Sequence, residues 1–342
     1  MRYFPRLTTI YLIFMTIFKM RTGPNENKPT MSFIADYKAK VSDVKSFVPS
    51  ATLSHVIENK NANAPIGVFD SGIGGLSVYL HLAKQLPFEQ YIYYADTLHV
   101  PYGTRDSEDI ERLTLVAVEW LYQRGCKLIV IACNSASAHA LETARRYYPK
   151  LPIVGLVPAL KPAVQASKSG HVAVLATRAT LNGSLLNQVI TDIAVPSATE
   201  VTKYFDPHLV PWVEAGMPKD SDTAYRLQEQ LHLFAQENVD QVVLGCTHYP
   251  FFKNFLLQTI ETNQLSMEIV DSGEAIAQRV KQILAYYQLL APSVRKLSIK
   301  ATDRTSINKR LNLMLHASKP DADLDNIIQR LLGEHICVQH CL

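Results

Sequence analysis

The chain has 342 residues, 47% of them hydrophobic and 19% charged, an ordinary globular composition that excludes a wholly disordered chain. Its five cysteines are too few for a disulfide scaffold, and no apolar run reaches the roughly 20 residues of a membrane-spanning helix. The net charge of +3 comes from residues 1–30, so the nearly neutral remainder has no basic field for nucleic acid, and we expect neither nucleic-acid binding nor stable membrane insertion.

Residues 1–64 are expected to form an N-terminal extension and linker. The apolar run 7–18 follows two arginines in the manner of a secretory signal peptide, but no small-x-small cleavage pattern comes after it. An alternative is that translation starts at Met31, and the residues before it are then not part of the protein. The polar stretch 59–64 indicates a linker in front of the globular body.

From Pro65 onward, short apolar runs alternate with longer amphipathic stretches. This order is typical of an α/β fold in which a mainly parallel sheet is flanked by helices. Several runs consist of Val, Ile and Leu throughout, as expected of strands that are buried on both faces. Strands are predicted at 66–69, 91–95, 127–132, 152–156, 172–176, 241–245 and 267–270, and helices at 108–124, 136–148 and 221–238.

The pattern of strands and turns repeats within the chain. The segment 66–72 has a counterpart at 172–178, and the segment 128–135 resembles 241–248. Each member of the second pair places a cysteine directly beyond its strand. Because ligands of open α/β sheets bind beyond the carboxyl ends of the strands, the repeat predicts two similar domains with both cysteines at one cleft between them.

Those two cysteines, Cys133 and Cys246, are candidates for chemistry because each precedes small polar residues at a predicted strand-to-helix turn. A helix N-terminus supplies free backbone N–H groups that can bind a carboxylate, and its dipole lowers the pKa of a thiol. His248, two residues after Cys246, is placed to handle a proton. The alternative for each cysteine is a buried structural role, which is the prediction for Cys126.

Two further motifs give weaker predictions. Cys337 and Cys341 lie among histidines near the C-terminus, but their spacing matches no standard zinc pattern, and we predict no metal site there. The glycine-rich segment 70–77 follows a strand like a dinucleotide-binding loop. Its last fingerprint position is Ser77 instead of glycine, and the charge of Asp70 would repel a pyrophosphate, so the pattern does not favour nucleotide binding.

Six segments of the chain share their pattern with one known family. They are IGVFDSGIGGLS at 66–77, YADTLHVPYG at 94–103, ACNSAS at 132–137, LVPWVEAG at 209–216, GCTHYP at 245–250 and IVDSG at 269–273. In this order, and over about residues 65–342, they resemble the glutamate racemases of the aspartate/glutamate racemase family. Two positions depart from the family pattern. Ser135 stands where threonine is usual, which keeps the hydroxyl, and His99 stands where arginine is usual.

The resemblance implies an isomerase that interconverts L- and D-glutamate without a cofactor and supplies D-glutamate for peptidoglycan in the cytoplasm. It implies that Cys133 and Cys246 take and return the α-proton on opposite faces of the substrate. Asp70 is the implied helper of the first cysteine and His248 that of the second, with Glu214 near His248. The implied substrate contacts are Asp70, Ser71, Tyr102, Gly103, Asn134, Ser135, Thr247 and His248.

The same resemblance implies two similar α/β domains, the first formed by 65–157 together with 269–342 and the second by 158–268. It implies a small-molecule substrate, and a homodimer is possible. Two alternatives remain open on the sequence. One is an aspartate racemase or another two-cysteine isomerase of the same fold, and the other is an α/β binding protein without catalytic activity.

Overall fold

The computed structural model describes residues 61–292, 312–319, 323–333 and 338–340. The predictions for residues 1–60 and for the cluster around Cys337 and Cys341 lie outside the described residues. The strands are β1 (Ile66–Asp70), β2 (Tyr91–Ala95), β3 (Leu128–Ile131), β4 (Ile153–Gly155), β5 (His171–Ala176), β6 (Glu200–Tyr204), β7 (Gln241–Gly245), β8 (Glu268–Val270), β9 (Leu313–Ala317) and β10 (Val338–His340).

The α-helices of the described residues lie between these strands and after β8. They are α1 (Leu76–Gln85), α2 (Ser107–Gln123), α3 (Asn134–Tyr147), α4 (Leu160–Ala166), α5 (Arg178–Asn182), α6 (Ser184–Val189), α7 (Leu209–Glu214), α8 (Asp222–Gln236), α9 (Lys253–Thr262), α10 (Gly273–Tyr286) and α11 (Leu324–Leu332). Short 3₁₀ turns at Tyr102–Thr104 and Tyr249–Phe252 follow β2 and β7. No helix in the described part of the chain is both long and apolar enough to cross a membrane.

The strands form two sheets in which every neighbouring pair is parallel. The first sheet has the order β10-β9-β2-β1-β3-β4 and the second the order β6-β5-β7-β8. The unit β2-β1-β3-β4 of the first sheet therefore has the same order as the whole second sheet. This confirms the α/β fold class with two similar parallel sheets, and it makes β1 equivalent to β5 and β3 equivalent to β7.

Helices cover both sheets, and the central strands are mainly apolar and buried along their whole length. All residues of β1, β3, β5 and β7 are buried. In the first sheet the core packs α1 against α10 through residues such as Leu82 and Leu284. In the second sheet α8 contributes Leu231 and Phe234 against Leu244 of β7. Burial of apolar surface, which contributes about 25 cal/mol per Å², is the main force that holds each sheet to its helices.

Three strands of the structure have no counterpart in the sequence prediction: β6, β9 and β10. Edge strand β6 contains Glu200 and Lys203, both exposed, and so lacks an apolar run. Strand β9 pairs with β2 from Leu313 to Ala317, far from β2 in the chain. Pairing of this kind is decided by the tertiary fold because local sequence carries no record of a distant partner.

A buried ion pair lies at the amino ends of the strands of the first sheet, where Glu89 precedes β2 and Lys127 precedes β3. Nζ of Lys127 donates to Oε2 of Glu89 at 2.6 Å, to the carbonyl of Ala62 at 2.6 Å and to that of Leu289 at 2.7 Å. The other carboxylate oxygen of Glu89 accepts from the amide of Ala291 at 2.8 Å. Both side chains are at most 3% exposed, so neither charge is solvated by water to any large extent.

We predict that Glu89→Ala lowers the free energy of unfolding by about 3–5 kcal/mol, because it removes the carboxylate that lies 2.6 Å from the buried ammonium group of Lys127. Glu142→Ala is the matched control, since its carboxylate is 69% exposed and pairs with Arg145 on the surface. That control should cost less than about 1 kcal/mol. Urea unfolding of both variants measures the difference, and equal losses would contradict the structural importance of the buried pair.

Candidate active site

The candidate site lies where the carboxyl ends of both sheets meet. Asp70 is the last residue of β1, Cys133 follows β3 and Cys246 follows β7, and all three are at most 7% exposed. The hydroxyl of Thr247 donates to Oδ2 of Asp70 at 3.1 Å. Oγ of Ser77 donates to the carbonyl of Thr247 at 2.7 Å. These two bonds join the end of β7 to β1 and α1 of the other sheet.

Cys133 caps the N-terminus of α3. Its sulfur accepts from the amide of Ala136 at 3.4 Å, and Oγ of Ser71 lies 3.5 Å from the same sulfur. Burial nevertheless raises the pKa of the Cys133 thiol to about 12. The neighbouring Asp70 carboxylate also raises it, and the hydrogen bonds from Ser71 and Ala136 lower it only in part. The N-terminus of α3 lowers this thiol's pKa as expected, through the amide of Ala136, but loss of hydration outweighs that effect and the net shift is upward.

Asp70 is a fully buried carboxyl group at the end of β1, near the ends of the two strands that precede Cys133 and Cys246. Oδ1 accepts from the amide of Gly72 at 2.9 Å, in addition to the Thr247 bond on Oδ2. Burial raises the pKa of Asp70 above its ordinary value of 3.8, while the charge of His248 and these hydrogen bonds lower it only in part. A carboxylate with a raised pKa binds a proton more readily, which suits a group that exchanges protons with a neighbouring thiol.

His248 is held between Glu214 and Cys246. Its Nε2 lies 3.0 Å from Oε1 of Glu214, which comes from the C-terminal end of α7. Burial alone would lower the pKa of the imidazole, but hydrogen bonds to Cys246 and Glu214 raise it from 6.5 to about 10. The ring is therefore protonated near neutral pH, and it places a positive charge beside the Cys246 thiol.

The glycine-rich turn between β1 and α1 is explained by close packing against these groups. A Cβ atom on Gly74 would lie 2.3 Å from Nδ1 of His248, and one on Gly75 would lie 2.8 Å from Cβ of Asp70. Distances under 3.0 Å do not occur for real Cβ atoms. Glycine is needed at both positions so that the turn can approach the site, and this accounts for the motif without a nucleotide.

The remaining site residues of the sequence analysis lie on the same strand-end surface. Tyr102 is buried, and burial is the main reason why the pKa of its phenol is raised. The charge of Asp96 raises this pKa further, and the charge of the nearby Cys133 thiolate adds to it. Gly103 packs against Thr177, since a Cβ there would be 2.8 Å from the Cβ of that threonine. Ser135 belongs to the first turn of α3.

Asn134, the first residue of α3, carries an unused donor. Its Nδ2 is buried and, within the described part of the chain, has no hydrogen-bond partner. Asn134 also lines a small cavity together with Cys246 and Thr247. A buried amide without an acceptor costs about 1–3 kcal/mol, and a carboxylate bound there would remove that cost.

Sequence analysis missed two threonines that belong to the same surface. Oγ1 of Thr177 lies 2.9 Å from Oγ of Ser135, and Oγ1 of Thr180 lies 3.4 Å from it. Thr177 directly follows β5, the equivalent of β1, so the internal repeat places it near the position of Asp70. The internal repeat is therefore the sequence signal that could have identified Thr177. Among the described residues, no group of three His, Cys, Asp or Glu side chains is placed to hold a metal ion.

Comparisons with known proteins agree on one family. A family model described as Asp/Glu/Hydantoin racemase matches residues 66–280. A glutamate racemase of Deinococcus radiodurans is 48% identical over 226 residues, which are 66% of this chain and 77% of that protein. A glutamate racemase of Clostridium perfringens is 37% identical over 251 residues, which are 73% of this chain and 95% of that protein.

The fold matches solved structures as well. The crystal structure of Escherichia coli glutamate racemase in complex with L-glutamate and the activator UDP-MurNAc-Ala has a TM-score of 0.65 at 29% identity. The match covers 81% of this chain and 97% of that chain. The chain therefore belongs to the Asp/Glu/hydantoin racemase family and is an amino-acid racemase, that is, an isomerase.

We predict that Glu214→Gln lowers the pKa of His248 below its value of about 10, because the substitution removes the negative charge 3.0 Å from Nε2. Folding raises the pKa of this group, so its contribution to stability is complete below pH 6.5 and is lost as the pH rises through 10. In Glu214→Gln the loss should still begin near pH 6.5, but it should be smaller and complete at a lower pH than in the wild type.

NMR titration of the imidazole protons measures the pKa, and urea unfolding at a series of pH values measures the stability. Glu229→Gln is the control, since Glu229 is exposed on α8. If His248 titrated in Glu214→Gln as it does in the wild type, Glu214 would not be the group that holds the charge.

Proposed function

We propose that this chain interconverts L- and D-glutamate, with Cys133 and Cys246 as the two proton-transferring residues. One observation carries the proposal: two buried thiols follow equivalent strands, β3 and β7, of two sheets with the same strand order. The choice of glutamate as the substrate rests on the relatives, which are named glutamate racemases, and on the L-glutamate bound in the Escherichia coli structure.

The chemistry needs two groups because inversion removes a proton from one face of Cα and delivers a proton to the other. In the forward direction the thiolate of one cysteine takes the α-proton and becomes a thiol. The electron pair left on Cα is shared with the α-carboxylate, and the second thiol then donates its proton to the opposite face and becomes a thiolate. No proton or charge is lost, so the reverse reaction uses the same groups in exchanged roles.

The raised pKa of the Cys133 thiol of about 12 has two consequences for such a reaction. It makes the thiolate scarce, so a neighbouring acceptor must take the thiol proton, and buried Asp70 is the group we assign to that task. It also makes the thiolate a stronger base once formed, which helps because the α-proton of an amino acid is far less acidic than a thiol. On the other side, protonated His248 is the group that we assign to exchange a proton with Cys246.

Neutral donors are proposed to bind the two carboxylates of the substrate. Asn134 supplies an amide Nδ2 without an acceptor and lies at the N-terminus of α3, where backbone N–H groups are free. The other proposed contacts are Asp70, Ser71, Tyr102, Gly103, Ser135, Thr247 and His248. We add Thr177 and Thr180 because they share hydrogen bonds with Ser135.

The proposed activity implies a wider role for the enzyme. The product D-glutamate would serve peptidoglycan synthesis in the cytoplasm, and the enzyme would act without a cofactor, as a homodimer. We propose that the domains follow the two sheets, the first formed by 65–157 with 269–342 and the second by 158–268. The pairing of β8 with β7 supports a boundary at this strand.

The test of this function is a coupled assay for D-glutamate formed from L-glutamate, with no pyridoxal phosphate or metal added. Turnover of glutamate well above that of aspartate is the expected result. Preferential turnover of aspartate would assign the chain to aspartate instead, and absence of turnover with either amino acid would leave a binding protein of the same fold.

We predict that Cys133→Ser and Cys246→Ser each lower racemisation by roughly 10²–10⁴-fold, because an alcohol is not ionised at working pH. In D₂O the wild type should place solvent deuterium at Cα of the newly formed enantiomer. Cys126→Ser is the control, since Cys126 is equally buried but lies before β3 at the opposite end of that strand from Cys133. Substantial racemisation by either active-site variant, folded by circular dichroism, would exclude the two-base assignment.

A further inference from the structure

A second buried carboxylate, Asp96, lies beside the proposed site and has no role in the chemistry above. It directly follows β2, and its amide donates to the carbonyl of Asp70 at 3.1 Å, so the two aspartates end neighbouring strands. Asp96 is 3% exposed. A buried carboxylate needs donors, and the structure supplies three side chains for it.

Those three donors come from two distant parts of the chain. The hydroxyl of Tyr102 donates to Oδ2 of Asp96 at 2.7 Å, and Nδ1 of His99 lies 2.9 and 3.0 Å from the two oxygens. Oγ of Ser318 donates to Oδ1 at 2.8 Å. Ser318 directly follows β9 and lies outside residues 66–280, the range that the family model matches.

The loop 96–105 is held closed around this carboxylate. The carbonyl of His99 accepts from Nε of Arg105 at 2.7 Å, and the carbonyl of Tyr102 accepts from the amide of Arg105 at 3.1 Å. On its other side, the amide of Leu98 donates to Oγ of Ser318 at 2.9 Å. The far end of the loop carries Tyr102 and Gly103, two of the proposed substrate contacts.

We propose that His99 and Ser318 are positioning residues of the active site. They hold the Asp96 carboxylate, Asp96 in turn holds the hydroxyl of Tyr102, and the turn at 102–103 is thereby kept against Cys133 and Thr177. The side chain of His99 is 36% exposed, so its contribution to the hydrophobic core is small and its hydrogen bond to Asp96 is its main contact. This proposal rests on the proposed function for its catalytic readout.

The test compares His99→Ala with His99→Arg, which restores a donor for Asp96, and with His232→Ala, a control on the exposed face of α8. The turn binds substrate and transfers no proton. His99→Ala should therefore raise KM for both enantiomers roughly tenfold, equivalent to about 1.4 kcal/mol, and change kcat by less than about threefold. His99→Arg should restore KM, and Ser318→Ala should raise it in the same way as His99→Ala.

A double-mutant cycle tests whether His99 acts through Tyr102. In a Tyr102→Phe background, where the hydroxyl is gone, His99→Ala should raise KM by much less than tenfold. An unchanged KM in both single variants, fully additive effects in the cycle, or a loss of kcat in one direction only would each overturn the positioning role.

Hydrogen exchange provides a readout that does not depend on activity. Amides of residues 97–105 should exchange faster in His99→Ala and Ser318→Ala than in the wild type, and at the wild-type rate in His232→Ala. If the wild type failed to racemise glutamate, the proposed function would fall, and the exchange rates would still decide whether these residues hold the turn. Unchanged exchange at 97–105 in both variants would overturn the proposal.

Discussion

The hydrogen bond from Thr247 to Asp70 is the contact on which the arrangement of the site depends. It joins the residue at the end of β1 to the turn after β7, and so connects the carboxyl ends of two sheets that each have their own core. The bond is buried on both sides, which makes it strong and makes its loss costly. With it in place, thiols that follow equivalent strands of the two sheets lie on one surface.

Burial at this junction also determines the protonation of the groups around it. The same loss of hydration raises the pKa of Asp70 and of the Cys133 thiol, so the first-sheet side of the site favours neutral groups. On the second-sheet side, His248 is protonated because Glu214 and Cys246 compensate for its burial. The repeat therefore produces two thiols in equivalent positions with unequal surroundings.

The two sheets differ in one further respect that bears on the site. The first sheet continues beyond β2 with β9 and β10, and the residue after β9, Ser318, reaches Asp96. The turn that carries Tyr102 is thus held both by its own loop and by a strand from the end of the chain. An active-site contact on a loop gains precision when the loop is fixed from two sides.

The sequence by itself determined the α/β class, the strands buried on both faces and the two cysteines after equivalent strands. These features are local: β1 and β7 are runs of apolar residues, and Cys133 and Cys246 stand at turns that the repeat makes visible. It could not determine the exposed edge strand β6, which lacks an apolar run, or the pairing of β9 with β2, which lie far apart in the chain. Nor could it give the pKa of Cys133, because the lowering effect of the helix N-terminus is outweighed by burial. Only the tertiary structure decided that, since the pairing of β1 with β3 brings Asp70 near Cys133 and the packed fold removes water from both groups.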